Sequence, residues 1–165
     1  MKTLVAGIGN VFLSDDAFGV EVVRELQHAH LGELPDGVRV LDSGIRGMHL
    51  AYELLDGYDA VVLVDATRRG GEPGTLHTLE HDPDEPAPAA ALDGHGMDPA
   101  SVLRLLRDLA ASMEVPRPVG RVLVVGCEPA CLDEGIGLSP AVAAAVGPAV
   151  DMVRELVTTL EGAQT

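Results

Sequence analysis

Asp15 and Asp16 stand side by side in GIGNVFLSDDAFG (residues 7–19), directly after an apolar run, and Asp65 ends a second apolar run, DAVVLVDA (residues 59–66). Two carboxylates and one imidazole make a mixed oxygen and nitrogen set suited to Ni, Zn, Fe or Mn, and such a set needs convergent strand ends rather than a local motif. Asp16 and Asp65 supply the acids. The imidazole must come from elsewhere, and among six histidines His95 is the best candidate, because DGHGMDP sets it between two glycines ahead of a capped helix. His28 and His30 belong to a helix end and His77 and His81 to a strand and the loop after it, while His49, near a helix start, stays open. Each residue also has a plain structural reading: Asp15 and Asp16 as N-caps, Asp65 as a turn cap, His95 as an ordinary loop residue. Their joint occurrence is what points to a metal.

Other chemistries find less support. GIGNVF begins like a dinucleotide fingerprint, but the third glycine is missing and two aspartates at a helix start oppose a pyrophosphate that needs the positive helix end. Cys127 and Cys131 form a C-x3-C pair with no second pair or nearby histidine to complete a structural zinc site, and Cys127 reads as a buried strand-end residue. Neither a G-x-S-x-G elbow nor an H-E-x-x-H helix occurs.

Apolar period and turn residues predict the elements that would position these groups. Continuous apolar runs at 2–8, 38–43, 59–66 and 121–128 read as strands covered on both faces. Helical spacing is found at 17–30, with Asp15 or Asp16 as N-cap, at 47–57, at 98–113, with Asp98 as N-cap and Pro99 in the first turn, and at 139–162, opened by Ser139-Pro140 and with a bend expected at Gly147-Pro148. Alternation over 75–79 after Pro73-Gly74 suits an antiparallel edge strand joined by a hairpin, and the acidic, Pro- and Ala-rich stretch 80–94 reads as a mobile surface loop. The order β-α-β-α-β-β-α-β-α implies an α/β fold, a mostly parallel sheet of five strands with one antiparallel member and helices on both faces. Ligands of such sheets collect beyond the carboxyl ends of the strands, where Asp15, Asp16 and Asp65 all fall.

Composition bounds the rest. The 165 residues with 47% hydrophobic content suit one domain spanning 1–165. A net charge of −15 and 2% aromatics argue against nucleic acid or an anionic membrane as partner. No apolar run reaches the length of about 18 residues that a span needs, and two cysteines are too few for a disulfide framework, so a cytoplasmic protein is expected.

Several blocks, in order, resemble one family: GIGNVFLSDDAFGV, LDSGIRGM (41–48), VVLVDA (61–66) followed by GEPGTL, His95 before a helix, and VVGCEPACLDEGIGLSPAV (124–142). Together they are similar to the NiFe-hydrogenase maturation endopeptidases over nearly the whole chain. The resemblance implies a three-layer α/β/α sandwich with a twisted five-stranded sheet. It also implies removal of a C-terminal extension from a hydrogenase large-subunit precursor after nickel insertion. The family's metal-contacting acid, acid and imidazole fall on Asp16, Asp65 and His95. The nickel is then supplied by the substrate precursor, with no tightly bound cofactor of the protein's own. Some members carry Glu where Asp16 stands, and the segment around His95 varies among relatives. Asp15 is expected to cap the helix or to support the site from behind. A rival reading is a receiver-like phosphoacceptor module, since Asp15, Asp16 and Asp65 fit its acidic pair and acceptor; the Lys it needs after the fifth strand is replaced by GCEPA. A broader metallopeptidase acting on free peptides is the third.

Overall fold

The computed structural model describes residues 1–86 and 98–163. Strands β1 (Thr3–Ile8), β2 (Val38–Gly44), β3 (Tyr58–Ala66), β4 (Leu76–His81) and β5 (Val119–Cys127) alternate with helices α1 (Phe18–Glu25), α2 (Gly47–Leu55), α3 (Pro99–Ser112) and α4 (Pro140–Gly162). The sheet order is β2-β1-β3-β5-β4. Four strands are parallel and β4 runs antiparallel to β5, as the alternating pattern predicts. Among the described residues no helix is long and apolar enough to cross a membrane.

Side chains alternate across the sheet, so one strand feeds two cores. Val5, Val62, Val64 and Val125 pack with Phe18 and Val22 of α1 and Val150 and Val153 of α4. On the other face Leu4, Ile8, Leu63 and Val124 meet Leu50 and Leu54 of α2 and Val102 and Leu106 of α3. These layers are the α/β/α sandwich. The parallel strands deliver their carboxyl ends, Ile8, Gly44, Ala66 and Cys127, to one edge of the sheet, and β4 begins there because Leu76 pairs with Cys127.

α1 lies unusually close to that edge. A Cβ on its Gly19 would collide with the backbone carbonyls of Val64 and Ile8, so the helix rests on the ends of β1 and β3. Neither carbonyl can yield without breaking sheet geometry. Gly19→Ala is therefore expected to lose about 3 kcal/mol of stability, read as a lowered urea midpoint; an unchanged midpoint would show that the helix has room to move.

Several expectations need correction. The helix predicted over 17–30 is a 3-10 turn (Ser14–Ala17), then α1, then a wider π turn (Leu26–His30). Its first residues carry no side-chain cap, because both acidic side chains are engaged elsewhere. Ser139 occupies the N-cap position of α4 without capping it. By contrast Asp98 does cap α3, its Oδ1 accepting from the Ser101 N–H at 2.7 Å. α4 continues through Pro148 to Gly162. The turn at Glu72–Thr75 makes no hairpin: β5 lies between β3 and β4, and the segment after β3 crosses over the end of β5, Thr67 N–H donating to the Cys127 carbonyl and Gly74 N–H to that of Glu128. β4 extends to His81, into the stretch expected as loop. The remainder of that loop past residue 86, His95 included, lies outside the described residues.

Candidate functional site

Asp16 sits on the 3-10 turn that follows β1 and packs against β3. It is buried, and its Oδ2 accepts the Asn10 N–H at 2.8 Å, while the Asn10 Oδ1 accepts the Phe12 N–H at 2.9 Å. Gly9, at φ +137°, starts this turn; a side chain there would strike the Asp16 carbonyl. The glycine turn is thus shaped around the carboxylate it encloses.

Asp65 is the penultimate residue of β3, buried, with its Oδ1 accepting the Ala66 N–H at 2.9 Å. Alternation from Val61 and Leu63 puts it on the α2 and α3 face of the sheet. The structure therefore brings two of the three predicted ligands to the same edge, one on the turn after β1 and one at the end of β3. The third, His95, falls outside the described residues. It stands three residues before the Asp98 cap of α3, a helix whose far end leads into the amino end of β5. Among the described residues no three histidine, cysteine or carboxylate side chains form a metal set by themselves.

Asp15 has a different task. Fully buried, it accepts the N–H groups of Ala130 (2.8 Å), Cys131 (3.0 Å) and Ser139 (2.7 Å) and the Ser139 hydroxyl (2.9 Å). Burial alone would raise its pKa, but these donors outweigh it and hold the carboxyl below the usual aspartate value. It caps no helix; it fastens the whole loop after β5 beside the turn that carries Asp16.

The remaining candidates separate cleanly. His77, set aside in the sequence, reaches this edge because β4 starts there: Asp65, Gly126 and His77 lie in one row across β3, β5 and β4. Its Nε2 is 2.7 Å from the Thr67 hydroxyl, and burial, with the Arg69 charge nearby, lowers its pKa so that the ring is neutral at neutral pH. The signal that could have found it is the antiparallel direction of β4 itself. His81 lies at the opposite end of the sheet, against Val122. His28 and His49 are exposed, and His30 pairs with Glu33 at 3.2 Å. Cys127 is buried in the α1 and α4 core, where burial first and the Asp15 charge second push its thiol up to about 11, so it is no nucleophile. A cleft of about 270 Å³ between α3 and the amino half of β5, bordered by Leu103, Leu106, Ala110 and Val122, is remote from both carboxylates.

The sequence model of a family described as hydrogenase maturation protease matches residues 20–156. Hydrogenase 2 maturation protease of Escherichia coli K12 is 35% identical over 157 residues, covering 93% of this chain and 88% of that protein. The hydrogenase expression/formation protein HupD of Rhodobacter capsulatus is 35% identical over 161 residues, 94% of this chain and 71% of its own. Among solved structures, the hydrogenase maturating endopeptidase HybD from E. coli superposes with a TM-score of 0.77 at 33% identity, covering 96% of this chain and 93% of the other. The NiFe-hydrogenase maturation protease HybD from Thermococcus kodakarensis gives 0.69 at 26% identity, covering 95% and 99%. With the sheet and these likenesses in agreement, the chain belongs to the hydrogenase maturation proteases and is an enzyme of that family.

Proposed function

We propose that this protease removes the C-terminal extension of a hydrogenase large-subunit precursor after nickel has been inserted, and that Asp16, Asp65 and His95 read the nickel held by that precursor. The observation that carries this reading is the pair of buried carboxylates at the carboxyl edge of the sheet, Asp16 on the turn that follows β1 and Asp65 at the end of β3. Carboxylate oxygens completed by an imidazole suit a divalent ion of this kind. The ion arrives as part of the substrate, so the protein needs no metal of its own. A precursor without nickel lacks the differential interaction and stays uncut, which makes the acid pair a check on the order of assembly. Asp15 keeps the site in shape by fixing the loop after β5. Cytoplasmic action belongs to the same proposal.

Retention tests it. The immobilised protein is expected to hold nickel-loaded precursor about tenfold or more better than nickel-free precursor, and Asp65→Asn to erase the difference. Equal retention of both forms by the wild type would overturn nickel recognition.

A receiver-like role loses its footing on Asp15. A phosphoacceptor site would offer that acid to a metal, whereas here four donors occupy it.

A further inference from the structure

The described residues include a few large apolar side chains left in water, and four of them gather where the strands deliver the carboxylates. Phe12 (66% exposed) follows β1, Ile45 (62%) follows β2, Met48 (50%) opens α2, and Ile136 (77%) follows β5. Backbone hydrogen bonds lock their loops into one row. Gly9 N–H donates to the Gly44 carbonyl at 3.0 Å, next to Ile45, and Gly135 N–H donates to the Phe12 carbonyl at 2.9 Å, next to Ile136. Between these ties lies Asn10, whose backbone N–H holds Asp16 and whose side chain holds the Phe12 N–H. One short turn therefore sets both the buried acid and the apolar rim.

Exposed apolar side chains on loops tied to one another mark a place where another molecule sits. Its loops are already fixed by hydrogen bonds, so little order has to be gained on binding. A second copy of this chain is a poor occupant: the net charge is −15, and the exposed Asp133 and Glu134 on the Ile136 loop would meet their own kind across a symmetric contact. An occupant that brings a cation to Asp16 must also lie over Phe12 and its neighbours, because the same turn carries both.

We propose that Phe12, Ile45, Met48 and Ile136 form the docking rim for the folded body of the substrate precursor, which presents an apolar surface with basic residues at its margin facing Asp133 and Glu134. This rests on the precursor-cleavage reading above. The rim supplies affinity and orientation, and the buried acids supply the discrimination.

Steady-state cleavage of nickel-loaded precursor tests the proposal. Phe12→Asp and Ile136→Asp are each expected to raise KM by about tenfold or more while kcat stays within about twofold. Met113→Asp, which alters an exposed apolar residue at the far end of α3, should change neither. Because the Phe12 and Ile136 side chains take no part in the locking bonds, melting temperatures should hold; Phe12→Ser and Ile136→Ser serve as milder variants if the charged ones unfold. Unchanged KM in folded rim variants overturns the rim. So does a fall in kcat at constant KM, or sedimentation showing a wild-type dimer that Phe12→Asp dissociates. A wild type that cleaves no precursor removes the reading beneath the proposal, a failure told apart from the others because it precedes any variant.

Discussion

Asp16→Asn is expected to lower kcat/KM on nickel-loaded precursor by at least about 10²-fold, the scale of losing one charged group that acts on the reacting centre. Its fold should survive, since an amide oxygen can still accept the Asn10 N–H that the carboxylate accepts now. Asp65→Asn should behave alike, keeping the Ala66 N–H bond and losing the charge. Asp16→Glu retains the charge on a side chain one methylene longer and should keep more activity than the amide. This ordering separates charge from shape: if the acids read a cation, the neutral isostere is worse than the longer acid. Full activity of Asp16→Asn, with circular dichroism and melting unchanged, would remove Asp16 from the mechanism.

Asp15→Ala is predicted to be the more damaging change for stability, costing about 3–5 kcal/mol in a urea titration. It would remove the shared acceptor of the Ala130, Cys131 and Ser139 N–H groups and leave a buried gap where the carboxylate sat. Ser139→Ala removes only the hydroxyl donor and should cost about 1 kcal/mol. The pH dependence has a definite sign. Because the folded pKa of Asp15 is below its unfolded value of about 3.9, its contribution is fully present above that pH and is lost as pH falls through the folded pKa. The stability gap between wild type and Asp15→Ala should hold from neutral pH to about pH 5 and narrow below about pH 4. A gap that widens on acidification would mean that the folded protein holds the carboxyl protonated.

The strands were legible because their signal is local and strong. Val61 to Val64 are β-branched or aliphatic on both faces, and a strand in a sheet covered by helices on both sides hides both. Asp98-Pro99 was equally readable, since a cap is decided within four residues. Asp15 was not. Its partners stand 115 to 124 residues away, and nothing within the first turn distinguishes a carboxylate that caps its own helix from one that gathers a distant loop. The same long-range bond explains why Ser139 looks like a cap and is not one. The position of β4 was lost for a related reason: the turn at Pro73-Gly74 is a local fact, but the strand that β4 pairs with is set by how the chain crosses the end of β5. His77 went with it. Of the predicted site, Asp16 and Asp65 come to one edge because parallel strands share a direction, a consequence of topology that the order of elements already contained.

On the proposed function, cleavage waits for nickel. Intact mass of a large-subunit precursor, prepared with and without nickel and incubated with this protein, should show loss of a C-terminal fragment from the loaded form alone. Equal cleavage of both forms, or of neither, would contradict it.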